Sequence, residues 1–201
     1  QDYYNSYLHS EIKFNQDYEK LLEYTKDLNE LLHSKKIKEA HRSLLISGIL
    51  IALQNAAFKN SFISHKKPEQ LAKNILSTIV DEFTNANLPT DKVNNLKQAF
   101  SFILTNTTLT TDKDFFIELI KNIEENVNNF MRTHKYFDTL GQFYIEFLRY
   151  ANSDKGLGIV LTPPHITELF AEIVNVDKDS VVFDNCCGTG GFLISAMKKM
   201  I

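Results

Sequence analysis

"VVFDNCCGTGGFLISAMKKM", Val181 to Met200, is the stretch whose reading decides the fold. Its first three residues are consecutively apolar and end in Asp184, the pattern of a strand buried on both faces of a parallel sheet. Asn185 to Gly191 reads as a glycine-rich loop, and a helix is expected from about Phe192. A strand cannot stand alone, because its N–H and C=O groups require partners and about three strands or a packed helix are needed for stability. No other stretch reads as a convincing strand. The fold class that follows is mainly α: a helical bundle domain over residues 1–133, then over 134–201 the first strand and helices of an incomplete, Rossmann-like α/β domain. Its remaining strands are expected beyond Ile201.

The helical reading rests on periodicity. From Phe14 to His33, Leu21, Leu22, Leu28, Leu31 and Leu32 fall near one face at helical spacing, with charges opposite. Ile37 to Phe58 is apolar nearly all round, as in a helix surrounded by others, and reads as one element at the centre of the bundle. Pro68 suits the first turn of a helix over Glu69 to Asn85. Thr90 is placed to cap a helix through Leu104, and Thr111 with Asp114 three residues on forms a capping-box pattern before "FFIELIKNIEENVNNF". The aromatic-rich "YFDTLGQFYIEFLRYA" reads as a further helix, "NSDKGLG" as a loop, and "TPPHITELFAEIV" as a helix opened by proline, with Thr162 as its N-cap.

Composition narrows the function classes. Of 201 residues 43% are apolar, and 22 Lys and Arg oppose 25 Asp and Glu for a formal charge of -3, so no global positive field holds a polyanion. Any nucleic-acid contact is local. The two cysteines, Cys186 and Cys187, are neighbours, which suits neither an ordinary disulfide nor a Cys-spaced metal site and fits a reducing cytoplasm. "LLISGILIAL", Leu44 to Leu53, is about half of the roughly 20 residues a bilayer span needs, so no membrane association is expected. The six histidines show no paired helical spacing around a carboxylate, so no metal is expected. The basic "HSKKIK" and "HKK" read chiefly as solvated charges at helix ends, with a phosphate contact as the alternative.

Ligands of open α/β sheets sit outside the carboxyl ends of strands, where the loop after Asp184 must lie. Glycines there permit unusual backbone angles and close approach of a ligand. A dinucleotide fingerprint needs a third glycine where Leu193 stands, and a triphosphate loop needs Gly-Lys-Ser/Thr where Gly191 precedes Phe192. An acid followed by Gly-x-Gly suits instead a ligand carrying an ammonium and a ribose.

"DNCCGTGGFLISA" closely resembles the S-adenosylmethionine loop of the amino-methylating DNA methyltransferases, in particular the modification subunits of type I restriction-modification systems and their single-chain relatives. "GLGIVLTPPHITELFAEIV" independently resembles the preceding Gly-x-Phe-x-Thr-Pro motif of that family. The resemblance covers about Phe137 to the end. It implies that Asp184 is the acid of the first motif and that Gly188 and Gly190 are its glycines. Cys187, Thr189 and Gly191 complete the loop, and Thr162 with Pro163 contacts the methionine end of the cofactor. Asn185 stands for the usual proline, Cys186 for a small residue and Leu161 for an aromatic. Cys187 matches a cysteine without a nucleophilic role, so it is expected to be a packed, inert thiol. Asp184 has a bland reading too, as a cap of its own turn.

The implied parent moves a methyl group from S-adenosylmethionine to the N6 amine of adenine in double-stranded DNA, with specificity and restriction subunits or domains as partners. The family's catalytic Asn/Asp-Pro-Pro-aromatic motif does not occur in this sequence, and "TPPH" at Thr162 lacks both its acid or amide and its aromatic residue. No catalytic residue is therefore assigned, and the fragment alone is expected to be inactive. Two other classes compete: a helical interaction module that binds a specificity subunit through "LLISGILIAL" and "FYIEFL", and a methyltransferase of protein glutamine or RNA.

Overall fold

In the computed structural model, residues 10–134, 137–141, 143, 162–188 and 190–201 are described, and among them every regular element is helical. The chain divides into two compact units, residues 27–128 and residues 1–26 with 129–201.

The unit over 27–128 takes in the second part of helix α1 (Glu11–Ser34), then α2 (Glu39–Ala52), α3 (Ala56–Ser61), a 3-10 turn (Phe62–Ser64) and α4 (Pro68–Asn85). It continues through α5 (Thr90–Phe100), α6 (Phe102–Thr105), α7 (Thr107–Thr111), α8 (Lys113–Ile123) and a π-helical turn (Glu124–Asn128). Helix α2 lies at the centre, with Leu45, Ile46, Ile49 and Leu50 buried. At Gly48 a β-carbon would stand 3.0 Å from the side chains of both Ile79 on α4 and Phe100 on α5, so the three helices meet where a side chain is missing. Against them pack Leu71 and Ile75 of α4 and Phe116 and Ile120 of α8, all with no exposed surface.

The stretch Ile37 to Phe58 is not one helix. Asn55 accepts the Phe58 N–H at 3.0 Å and starts α3, while its amide donates to Glu82 Oε1 at 2.9 Å. A side chain that satisfies a fresh helix start and binds a neighbouring helix outcompetes one more helical turn. Thr111 and Thr90 are likewise not the caps expected: Asp112 accepts from Phe115 N at 3.0 Å, Thr111 closes α7, and α5 begins after Pro89 without a side-chain cap. The helix from Thr90 breaks at Ser101, and the run after Lys113 passes through the π-turn, where Gln54 donates to Asn128 Oδ1 at 3.2 Å. Pro68 does open α4 at its first position.

The end of α1 is closed by a Schellman motif, with Lys36 N–H to His33 O at 2.9 Å and Ile37 N–H to Leu32 O at 2.9 Å. Ile37 and Leu32 are both buried, the apolar contact that accompanies such an end. Buried Arg42 of α2 fastens the turn, its Nε donating to Ile37 O at 3.1 Å and its Nη1 to Asn29 Oδ1 at 2.6 Å. The stripe that α1 buries contains Leu21, Thr25, Leu28 and Leu32, whereas Leu31 is exposed. Thr25 enters it because its hydroxyl is satisfied by Leu21 O at 2.7 Å.

The other unit contains the start of α1, α9 (Asn129–Thr133), α10 (Pro164–Ile173) and α11 (Gly191–Met200). Phe14, Tyr18, Phe130, His134 and Phe137 form a ring cluster with centroids 4.7–6.2 Å apart. Within it His134 Nε2 lies 2.9 Å from Asp17, which also pairs with Lys13. Burial pushes the Asp17 carboxyl up, but the hydrogen bonds from Lys13 and His134 outweigh it and hold the group below the ordinary range. The helix expected over Tyr136 to Ala151 and the loop "NSDKGLG" fall largely outside the described residues.

The expected strand at Val181–Asp184 is a correction: these residues carry no regular structure, and Val181 and Phe183 are 97% and 85% exposed. Among the described residues no strand stands beside them to accept their backbone groups.

Two stability predictions follow from these ends. Lys36 has φ +57, a left-handed conformation that costs a β-carbon-bearing residue on the order of 1 kcal/mol. Lys36→Gly is expected to stabilise the protein by ~1 kcal/mol, a rise of roughly 2–4 °C in the thermal midpoint. At Asp112, hydrogen bonds from Lys35 and from the Phe115 N–H hold the carboxyl below its ordinary range. Asp112→Ala should cost ~1 kcal/mol at neutral pH in urea titrations. Because the folded-state pKa is depressed, that gap is full above the ordinary Asp range, shrinks as pH falls from there, and is lost once pH passes below the lowered native pKa.

Candidate functional site

Helices α10 and α11 form one packed pair. Thr167 meets Gly191 and Ser195, Phe170 meets the Phe192 ring at 5.7 Å, Glu168 pairs with Lys198 at 2.6 Å, and Glu172 pairs with Lys199 at 2.5 Å. Thr167, in the first half of α10, lies beside Gly191 at the start of α11, and Glu172 near the end of α10 pairs with Lys199 near the end of α11, so the two run broadly in the same direction. Ala171, Val176 and Ala196 make the apolar seam, with Met200 against it. Inside the seam the hydroxyls of Thr167 and Ser195 are buried and 2.7 Å apart, and Thr167 also donates to Pro164 O at 2.9 Å. Sequence reasoning missed this pair; its signal is two small polar residues on otherwise apolar faces.

This arrangement brings the residues expected to matter to one end of the pair. Thr162 and Pro163 precede α10, both exposed. Thr162 is not the N-cap: Pro163 holds that position with φ -57 and ψ 142, and no side-chain bond caps the helix. Pro163 has its φ fixed by its ring and so defines the turn itself. At the start of α11, Gly190 is the N-cap with φ +91, its N–H donating to Cys187 O at 2.8 Å, and Gly191 is the first helical residue. Gly188 is also left-handed, at φ +54. A β-carbon at Gly188 or Gly190 would have nothing within 4 Å, so the surface of the loop is open there. Thr189 and Leu161 lie outside the described residues.

Asp184 is half-buried at the head of the loop, and its Oδ1 accepts the Cys186 N–H at 2.9 Å. The bland reading is thus realised by one oxygen, while Oδ2 has no partner among the described residues. Cys186 and Cys187 are free and exposed, so Cys187 is not the packed thiol expected. Upstream, Asp177 accepts from the Ser180 hydroxyl at 2.8 Å and the Asp179 N–H at 3.1 Å, and the Ser180 bond in particular lowers its pKa. Among the described residues no cluster of His, Cys, Asp and Glu is arranged to hold a metal, and no helix is long and apolar enough to cross a membrane.

Gly190 and Gly191 should respond differently to alanine. At Gly191 a β-carbon meets only Thr167 Cγ2 at 3.9 Å, an ordinary contact, and Ala favours helix. At Gly190 the space is open but the φ is left-handed, so Gly190→Ala should speed amide exchange at Ile194, whose N–H bonds Gly190 O at 2.8 Å, by a factor of about 5–10, equivalent to ~1 kcal/mol. Gly191→Ala should leave it unchanged or slower.

Residues 135–201 match the family model described as N-6 DNA Methylase. Over 185 residues the chain is 34% identical to the type II restriction enzyme and methyltransferase RM.BcgI of Heyndrickxia coagulans, covering 87% of this chain and 29% of that protein. It is 32% identical over 180 residues to the type I restriction enzyme MpnII methylase subunit of Mycoplasma pneumoniae, covering 74% of this chain and 32% of the subunit. A 74-residue match at 34% identity to the type I restriction enzyme MjaIX methylase subunit of Methanocaldococcus jannaschii covers 36% of this chain and 13% of that subunit. The chain thus spans less than a third of the length of these relatives. No solved structure matches it. The glycine-opened loop and the proline-opened helix fall inside the matched segment, so over residues 135–201 the chain is similar to the N-6 DNA methylase family.

Proposed function

We propose that the chain is part of an N6-adenine DNA methyltransferase of a restriction-modification system, with the S-adenosylmethionine pocket begun by the loop Asp184–Gly191 and the Thr162–Pro163 turn. The observation that supports this is the packing of Thr167 against Gly191 and Ser195, which sets the helix after the glycine loop beside the first turns of the helix after Pro163. The helical domain is taken to run over 1–133 and the methyltransferase domain to start at 134.

The residues present suit such a cofactor. Gly188 and Gly190 leave open space above the loop backbone, and Asp184 Oδ2 is available to a ribose hydroxyl or an ammonium. When bound, S-adenosylmethionine supplies an electrophilic methyl group on a sulfonium centre. In this reading the Asp184 carboxylate orients the ligand, its other oxygen being tied to Cys186 N, which fixes the carboxylate plane. Gly188 and Gly190 admit the ligand against the main chain, and Cys187, Thr189 and Gly191 shape the loop. Thr162 and Pro163 border the methionine end. The acceptor-activating Asn/Asp-Pro-Pro-aromatic residues are not in this sequence, so double-stranded DNA, specificity and restriction partners act through the larger enzyme.

The interaction-module alternative loses one of its supports: Leu45, Ile46, Ile49 and Leu50 of "LLISGILIAL" are core residues, and "FYIEFL" lies mostly outside the described residues.

Calorimetry of the complete enzyme with S-adenosylmethionine tests the reading. Asp184→Asn should weaken binding by about tenfold or more, the loss of one charge-assisted hydrogen bond. Unchanged affinity would remove Asp184 from the pocket. The 201-residue chain by itself should transfer no radiolabelled methyl group to DNA.

A further inference from the structure

At the end of α1 lies a cleft of about 440 Å³ lined by Lys36, Lys38, His41, Phe102, Asn106 and Thr107. No carboxylate lines it. Its base is rigid: the His41 ring stacks on Phe102 at 4.2 Å and 21°, Thr108 donates its hydroxyl to Lys35 O at 2.7 Å, and Asn106 accepts from Leu109 N at 3.1 Å. The neighbouring Lys35 is neutralised by Asp112 at 2.8 Å. Lys36 and Lys38 have no carboxylate partner among the described residues, and neither the Asn106 NH2 nor the Thr107 hydroxyl donates to the protein there. The lining thus holds two cations without a carboxylate partner among the described residues, together with amide and hydroxyl donors.

Lys36 holds its place at a cost. Among the described residues three helices close with the same Schellman geometry, at Lys36, Asn87 and Asn175, each with a left-handed φ and the same pair of closing bonds. Asn is among the residues that tolerate this conformation; Lys is not. Asn87 and Asn175 are therefore explained by local structure, and Lys36 is not. A disfavoured backbone conformation kept by a charged residue at the mouth of a cleft points to what its side chain binds.

We propose that this cleft is a phosphate-binding site, with Lys36 and Lys38 supplying charge and Asn106 and Thr107 supplying directed donors. The expected source of the phosphate is the backbone of duplex DNA, which rests on the methyltransferase reading; the anion site itself does not. Two lysines that are unpaired among the described residues, in a chain of net charge -3, provide the local contact that the overall composition cannot.

The test uses the full chain and two readouts. Lysine acetylation followed by mass spectrometry measures protection of Lys36 and Lys38 by a 30-base-pair duplex and, separately, by inorganic pyrophosphate, with Lys73 and Lys92 as exposed controls. Fluorescence anisotropy with the labelled duplex is then repeated across a potassium chloride series. Protection of Lys36 and Lys38 by duplex, with the salt slope of the Lys36→Gln/Lys38→Gln variant shallower by about 2 and that of Lys73→Gln/Lys92→Gln unchanged, supports the site with DNA as its source. Protection by pyrophosphate alone supports the anion site and removes DNA from it, leaving the methyltransferase reading to the cofactor calorimetry. No protection by either anion overturns the proposal. Lys36→Gly adds a discriminating variant, because it should bind the protecting anion at least threefold more weakly while melting higher; equal binding also counts against the site.

Discussion

The close approach of three helices at Gly48 is the constraint on which the larger helical unit depends. With a β-carbon only 3.0 Å from Ile79 and Phe100, α2 cannot move outward or rotate without opening a gap, and cannot carry a side chain there without pushing α4 and α5 away. Because α2 is enclosed, its ends must be made by exposed connections that satisfy their own backbone groups. Asn55 does this at one end, bonding Phe58 N and Glu82 Oε1 together. Arg42 does it at the other, reaching from α2 to the carbonyl of Ile37 in the turn that closes α1. A buried guanidinium is tolerable here because its Nε and Nη1 bonds satisfy the Ile37 and Asn29 carbonyls and its Nη2 lies 3.2 Å from His33 Nδ1.

The loop site is supported from one side. Packing between α10 and α11 fixes where both helices begin, through Ala171, Val176, Ala196 and the buried Thr167–Ser195 hydroxyl bridge. The segment leading into the loop has no comparable support, since Val181 and Phe183 meet almost nothing. Its sequence nonetheless has the composition of a strand buried on both faces, a conflict between pattern and surroundings. The helix pair positions Gly190, Gly191, Thr162 and Pro163, while Asp184 is held locally, by its own turn to Cys186 N.

What was legible in the sequence and what was not divides along physical lines. Period 3.6 found the helices because burial of one face dictates it, and Pro68 and the proline-opened α10 were readable because a fixed φ and a missing N–H act locally. Caps were read less well. Thr90, Thr111 and Thr162 have the right chemistry, but Pro89, Asp112 and Pro163 occupy the positions, since a one-residue offset depends on how the preceding turn arrives. The break at Asn55 was hidden by the apolar residues on both sides, and only its bond to Glu82, far off in sequence, explains it. The strand was legible as a pattern and absent as structure, because strand formation is decided by neighbours that a local pattern does not contain. The loop residues were legible because glycines in a left-handed conformation leave a trace in composition, whereas the Thr167–Ser195 bridge leaves almost none.

Left-handed backbone joins the two candidate sites. At Gly188 and Gly190 the conformation comes without strain, and the omitted side chains leave the main chain open to a ligand. At Lys36 the same region of conformational space is occupied by a residue that pays for it, and what is gained is a cation aimed from a fixed turn rather than from a flexible surface. Fixing that turn through Leu32, Ile37 and Arg42 lowers the freedom the lysine would lose on binding, although its long side chain still must be ordered. A glycine there would relieve the strain and discard the charge. If only folding mattered, the glycine or an asparagine, as at the other two Schellman ends, would be the more stable solution, so the retained lysine is better explained by a ligand than by the fold.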